Sequence, residues 1–402
     1  MRLRLTVDRN TFIWVHGTKG LVYNSLNFKS FEFNMSAGIK KVCDELDVLA
    51  NLYEVSLDES YVQDPLLKEW VDNMLIIHSA ELNKFNADSL PSLKPVLKIQ
   101  KDIKRIVNER DFIEAVNCLK EITIHLNGFN ISEKEKEYHK QLIYPIKSTE
   151  ELDLEQLNVF LKNVPQKSNI KLNFVGCCSS SSSISKLLDI LNDRINTITF
   201  YFRIEDVYRL WNLVQAIANT YNINLLCKCT DELSQHMNFV KNKIAHLFLH
   251  FLVTSEEDIN FLNSIDKEWV AYTITPLFVG NNKDFFKQYV YLTKDDCCES
   301  RVDKRHIFMN QTLNGNFFGK LNVLPDGSIW DNLNFPRLGS INGDFFELLL
   351  SVFDSKKSWF HIRNQEPCAH CLYQWICPPP SNYETIIGET NLCHVKLRKR
   401  SK

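Results

Sequence analysis

Four of the chain's twelve cysteines fall within its last 35 residues: Cys368, Cys371, Cys377 and Cys393, spaced C-x2-C-x5-C-x15-C. Four thiolates converging from one short segment are what a tetrahedral metal or a cubane cluster requires. A C-x2-C pair suits zinc and iron–sulfur alike. Neither the x5 interval nor the distant fourth cysteine decides between them. The triplet Pro378-Pro379-Pro380 removes three backbone donors and stiffens the loop that would present the thiols.

Other residues point to chemistry less strongly. Cys177-Cys178 and Cys297-Cys298 are adjacent pairs, and neighbours on an extended chain point oppositely, so neither pair is expected to chelate one ion. Cys227 and Cys229 share one side of a strand. All of these are expected to be core or idle thiols. Ser179–Ser183 is expected to be a flexible loop with one serine capping the next helix, rather than an anion site. His370 and His394 flank the thiols and are candidates for a hydrogen bond to sulfur, but four cysteines already complete a ligand set. The chain carries no P-loop, dinucleotide-binding glycine fingerprint, HExxH or GxSxG motif. Its 26 phenylalanines read as core and interface material.

Three regions must position the thiols. Residues 1–85 carry short strand-like runs (Leu3–Val7, Phe12–Val15, Leu21–Asn24, Phe31–Asn34, Tyr53–Leu57), a helix with Ile39, Val42 and Leu46 on one face, and a second helix opened by Asp64-Pro65. This pattern is a small α+β, winged-helix-like domain, with an apolar groove expected between its strands and the helix of Ile39. Residues 86–115 read as a connector. Residues 116–299 alternate six strand runs with helix-length segments, the sequence form of a parallel sheet with right-handed crossovers. Six units suit an open, partial barrel better than a closed one of eight. In 300–402, Lys320–Trp330 reads as a hairpin turning at Pro325-Asp326-Gly327. An apolar helix over Phe345–Phe353 and the cysteine segment follow. The fold class is α/β.

With a net charge of −2 the chain has no global pull toward nucleic acid or anionic lipid. No run of 18 apolar residues is present, so no membrane-spanning helix is expected. The first residues lack the apolar core of a signal peptide, which points to the cytoplasm and to reduced thiols or metal ligands rather than disulfides. The basic tail Lys396–Lys402 reads as solvated.

The cysteine segment resembles the SPASM domain of radical-SAM peptide-modifying enzymes, whose form is C-x(9–15)-G-x4-C, then C-x2-C-x5-C-x3-C, then a final Cys. That domain normally holds two auxiliary [4Fe–4S] clusters. Cys368, Cys371, Cys377 and Cys393 match the set that holds the second. The resemblance therefore implies one [4Fe–4S] cluster on these four, with zinc in the same thiolates as the alternative. The first set is missing. Ser381 stands at the x3-C position, Asn332 stands where G-x4-C needs a cysteine after Gly327, and no cysteine lies in 311–317.

The radical-SAM motif C-x3-C-x2-C is missing too. Its expected place is the loop after Glu121–Leu126, and no cysteine occurs between Cys118 and Cys177. The Gly-Gly-Glu that holds SAM at the end of the second strand is replaced by Gly176-Cys177-Cys178, so no SAM binding is expected. The chain thus resembles the pseudo-radical-SAM/SPASM proteins of GG-leader, Bacteroidales-type peptide systems. That resemblance implies an accessory role in maturing a ribosomally made peptide. The partners implied are a precursor with a GG leader, bound by residues 1–85 as in a RiPP recognition element, and a second modifying enzyme. Two other readings stay open: an iron–sulfur electron-transfer enzyme acting on a peptide, and a zinc-stabilised structural protein.

Overall fold

The computed structural model describes residues 2–84, 94, 99–128, 131–178 and 180–395. The tail Lys396–Lys402, Ser179 and most of 85–98 lie outside the described residues. The chain opens with β1 (Arg2–Val7), β2 (Thr11–His16), β3 (Lys19–Asn24), β4 (Ser30–Asn34), α1 (Ala37–Asp47), β5 (Glu54–Asp58), α2 (Pro65–Ile76) and β6 (Ala80–Lys84). These form two antiparallel sheets, ordered β5-β1-β6 and β2-β3-β4. Ser36 caps α1 at the Ile39 N–H, and Asp64 caps α2 at the Leu66 and Leu67 N–H groups, with Pro65 at the first helical position. The groove expected beside α1 is filled. Ile39, Val42 and Leu46 are buried in one core with Leu5, Val55 and Trp70, because α2 and the β1 sheet close over that face.

Two helices, α3 (Ile99–Glu109) and α4 (Phe112–Asn117), fill the second half of the expected connector. The alternating region follows: β7 (Glu121–His125), a short pair β8 (Asn127–Gly128) and β9 (Ser148–Glu151), α5 (Leu154–Asn163), β10 (Lys171–Val175), α6 (Ser181–Leu191), β11 (Thr197–Arg203), α7 (Trp211–Ile217), β12 (Asn222–Lys228), α8 (Leu233–Val240), β13 (Leu247–Val253), α9 (Glu256–Ser264) and β14 (Ala271–Pro276). After β11 the helix begins only at Trp211. Asp206 ends a 3-10 turn and is held by Arg203 at 2.6 Å and Arg209 at 3.2 Å.

The remaining elements are α10 (Lys283–Tyr289), α11 (Lys294–Glu299), α12 (Lys304–Asn310), β15 (Lys320–Val323), β16 (Ser328–Trp330), β17 (Gly339–Ser340), α13 (Phe345–Ser355) and α14 (Asn382–Ile387). The six long strands stand side by side in chain order, all parallel, from β7 through β10, β11, β12 and β13 to β14. The hairpin of 320–330 continues this sheet. β15 pairs parallel to β7 with Lys320 opposite Glu121, and β16 and β17 follow antiparallel.

The two faces of the sheet differ. Ile122, Ile124, Leu172, Phe174, Phe200, Phe202, Leu225 and Phe251 enter the main core beneath the helices. The alternate residues are largely polar: Thr123, His125, Asn173, Thr199, Tyr201, Arg203, Asn224 and His250. Period-2 alternation puts them all on the other face. A parallel sheet is ordinarily apolar on both sides. The polar side here belongs to a site rather than to the core.

Leu321 sits in β15 between β7 and β16 and is 1% exposed. Leu321→Ala should cost about 2–5 kcal/mol. Urea denaturation should show this as a lower midpoint with an unchanged slope.

Candidate functional site

Elements from distant parts of the chain hold the cysteine segment. The Cys371 N–H donates to the Cys368 carbonyl (3.0 Å) and the Cys377 N–H to the Tyr373 carbonyl (2.8 Å), so tight turns present the first three thiols. Side chains satisfy the proline carbonyls. Arg363 donates to Pro378, Asn316 to Pro379 (3.2 Å), and Asn314 to Pro380 (2.8 Å). Cys393 is placed by a parallel bridge to Leu292. Leu292 leads into α11, whose Thr293 cap exchanges hydrogen bonds with Asp296. This brings Cys297 into one packed cluster with Cys377. Cys297, expected to be an idle core thiol, is thus a fifth member of the group. Local spacing carries no signal for it, because α11 lies far upstream of Cys368.

The electrostatics converge on Cys377. Burial raises the Cys368, Cys371 and Cys393 thiols, Cys371 to about 12, and each feels the charge of Cys377. Cys377 itself is held below the ordinary thiol range, first by the neighbouring Cys297 thiol and then, against burial, by the Arg363 guanidinium. Arg363 is buried and ion-paired with buried Glu384 at 2.9 Å. The Val395 N–H donates to the Cys393 sulfur at 3.2 Å. His370 meets Glu366 at 2.9 Å and His394 meets the Lys287 carbonyl at 2.7 Å.

Among the described residues, no three Cys, His, Asp or Glu side chains are drawn together tightly enough to hold one metal ion. A tetrahedral zinc with bonds of about 2.3 Å needs its sulfurs about 3.8 Å apart. A cubane places four irons between its thiolates and holds them wider. An all-thiol set, a buried guanidinium and an amide donor to sulfur suit either group. Cys368, Cys371, Cys377 and Cys393 would hold it, and it would supply one-electron chemistry or a structural staple.

The N-terminal sheet covers this centre. Phe12, Leu21 and Tyr23 pack in one cluster with Cys297, Ile307, Tyr373, Ile376 and Cys377. The Tyr23 hydroxyl donates to the Val302 carbonyl (2.8 Å). Glu32 of β4 pairs with Lys294 (2.8 Å) and accepts from the Tyr373 hydroxyl.

The loop after β7, where the SAM-cluster cysteines were expected, folds back over the ends of the strands. Ile131 and Tyr144 pack on Leu226, Leu252 and Leu277. The Gln141 amide clasps the Phe278 backbone with two bonds of 2.7 and 2.8 Å. Between them Glu135 reaches down to Lys228 (2.5 Å) and Arg203 (3.5 Å), and accepts from Tyr144 (2.7 Å). Burial would raise its carboxyl, but hydrogen bonds from Lys228, Tyr144 and Ser132 prevail and hold it at about 2. At the next strand end, Gly176 lies so close to β8 that an added Cβ would stand 2.9 Å from the Asn127 carbonyl.

Asn332 and Ser381, where the resemblance calls for cysteines, line one cavity of about 320 Å³ together with Asn316, from the 311–317 window. Both have other work. Ser381 caps α14 at the Tyr383 N–H (3.3 Å), while Glu384 reaches back to the Ser381 N–H (2.8 Å). Asn332 donates to Asn382 (2.8 Å).

These features define an α/β protein with a largely parallel sheet, a loop packed over its strand ends and a separate thiol cluster. No protein-family model matches the chain, and no curated protein matches it. Among solved structures it is similar to Streptococcus suis SuiB, crystallised bound to the precursor peptide SuiA. The match covers 97% of this chain and 98% of that one, at 10% identity and a TM-score of 0.39, too low to define a shared fold. No helix among the described residues is long and apolar enough to cross a membrane.

Were an iron–sulfur cluster held by the four thiols, Cys377→Ala would abolish it and destabilise the protein, because holo-site energy is folding energy. Cys297→Ala, outside the four-thiol set, would keep such a cluster and shift its reduction potential, since a thiol packed against Cys377 is lost. Iron analysis and a redox titration read the two effects. Glu135 has its carboxyl lowered from 4.5 to about 2, so its contribution to stability is present above pH 4.5 and lost as pH falls toward 2. Glu135→Gln should therefore destabilise the protein strongly at pH 7. The gap from wild type in urea melts should narrow steadily below pH 4.5.

Proposed function

We propose that this protein is an accessory, pseudo-radical-SAM partner in the maturation of a ribosomally made peptide. It holds one [4Fe–4S] cluster on Cys368, Cys371, Cys377 and Cys393 and binds the precursor through its N-terminal domain. The observation that carries this reading is a four-cysteine segment in one loop-rich region, together with strand ends where Glu135 pairs with Lys228 and Arg203. The chain keeps a place for one cluster, while the place where SAM chemistry would begin is occupied by its own side chains. The strand order β7 to β14 supports a partial (β/α)6 barrel, with the hairpin and cysteine segment as its SPASM-like extension.

For the peptide, the support is an open edge. β4 has one ladder neighbour among the described residues, β3. Such an edge offers unpaired N–H and C=O groups to an extended leader, which would add as a fourth strand. The opposite face of that sheet is committed to the thiol centre, so a peptide held there would sit next to the cluster. A cytoplasmic location and a second maturation enzyme belong to the same proposal.

Purified without oxygen, the full chain should carry about four irons and four sulfides. With SAM and a strong reductant it should form no 5′-deoxyadenosine. It should also bind a GG-leader peptide encoded beside its own gene, measured by fluorescence anisotropy. Stoichiometric zinc would move the protein to the structural reading. Production of 5′-deoxyadenosine would overturn the pseudoenzyme assignment, and failure to bind any neighbouring peptide would remove the recognition role.

A further inference from the structure

The cavity beside β7 and β15 holds polar groups that the proposed function does not use. Its buried wall carries three side-chain atoms with no hydrogen-bond partner: Asp331 Oδ1, His125 Nδ1 and His139 Nδ1. Asp331 is 2% exposed and His125 1%. Buried polar atoms are almost always paired, and an unpaired one costs about 1–3 kcal/mol. Three around one cavity mark a place built for a bound group. The other Asp331 oxygen already accepts from Ser358 at 2.6 Å.

Charge decides which group. The ionisable side chains of the lining are Glu121, Asp331, Lys320, His125 and His139. Burial holds His125 near 3 and His139 near 4, so both rings are neutral at physiological pH. Lys320 stands 3.8 Å from Glu121 and answers that carboxylate. Asp331 is left without a counter-cation, and burial pushes its carboxyl above the ordinary range. The cavity thus has two carboxylates against one ammonium. With its proton on Nε2, each histidine of the lining presents Nδ1 as an acceptor. Three acceptors equal in number the three N–H donors of an alkylammonium. About 320 Å³ lies at the small end of ligand pockets, enough for one residue-sized group rather than a long chain.

We infer that this cavity is a binding site for a basic amino group, the alkylammonium or guanidinium of a lysine- or arginine-like side chain, with Asp331 as its counter-ion and His125 and His139 as neutral acceptors. The inference does not depend on the cluster. The rim, where Asn316 is exposed, lets such a group enter from solvent.

The test is calorimetric titration of the full chain with Nα-acetyl-lysine methylamide and Nα-acetyl-arginine methylamide, against the norleucine and glutamine analogues. At least one basic amide should bind at least tenfold more tightly than norleucine. Asp331→Asn should abolish the preference. Because Asp331 also holds Ser358, His139→Phe serves as a second variant that leaves that bond intact; it too should weaken binding, with an unchanged thermal midpoint. Putrescine and the pentapeptide Ac-Ala-Ala-Lys-Ala-Ala-NH2 separate the sources: tighter binding of either upholds the site and identifies a free amine or a peptide residue as its ligand. Equal affinity for lysine and norleucine amides, no binding of either basic amide at millimolar concentration, or wild-type binding by the folded His139→Phe variant would overturn the inference. Iron content plays no part in this readout, so failure here leaves the cluster assignment standing.

Discussion

The parallel ladder between β7 and β15 is the constraint on which the rest of the molecule depends. β7 is the first strand of the six, and β15 comes some two hundred residues later, after all the crossovers. Their pairing, Lys320 to Glu121 through Val323 to Ile124, fixes where the C-terminal third begins. Everything after β15 is positioned from that register: the Pro-Asp-Gly turn, α13 over the main core, and the cysteine loop held by Asn314 and Asn316. One ladder also sets two sites at once. Its polar face forms a wall of the cavity, and the chain leaving it carries the thiols.

Glu135 solves a problem that the sheet creates. Alternation in the parallel strands leaves Arg203 and Lys228 on a largely buried face, where unpaired cations are costly. A carboxylate from the loop after β7 answers both, and Tyr144 and Ser132 complete its hydrogen bonds. A buried pair of this kind is weak evidence for added stability, but losing one partner strands the other. The loop is therefore held in place by what it covers. A group placed at the ends of β11 and β12 would displace Glu135, leaving Arg203 to Asp206 and Lys228 to Glu205.

What the sequence made legible was whatever is local. The six strand–helix units, the hairpin at Pro325-Asp326-Gly327 and the Asp64-Pro65 cap are written in short-range periodicity and turn chemistry, and the structure has all of them. What stayed hidden depends on contacts between distant residues. β6 (Ala80–Lys84) shows no clear alternation; it is a strand because β1 offers it an edge. Cys297 looked like half of an adjacent pair, and long-range contacts, the Leu292–Cys393 bridge and the packing with Tyr373 and Ile376, bring it to Cys377. The polar cavity was foreshadowed only by two departures from a motif, Asn332 and Ser381. The groove expected beside Ile39 failed for a plain reason: an apolar helical stripe says that something covers it, not what.

The N-terminal sheet joins these parts. Its β3 strand is shared between two cores, with Val22 turned toward α1 and α2 and with Leu21 and Tyr23 turned toward the thiol centre. Alternation along one strand therefore couples the domain's own stability to the packing over Cys377. Anything that shifts β3 must also move the apolar cover of the sulfurs. β4 lies next to β3 and carries Glu32 to Lys294 at the start of α11. In the proposed role, a peptide strand added at the β4 edge would reach the helix of Cys297 through this one sheet.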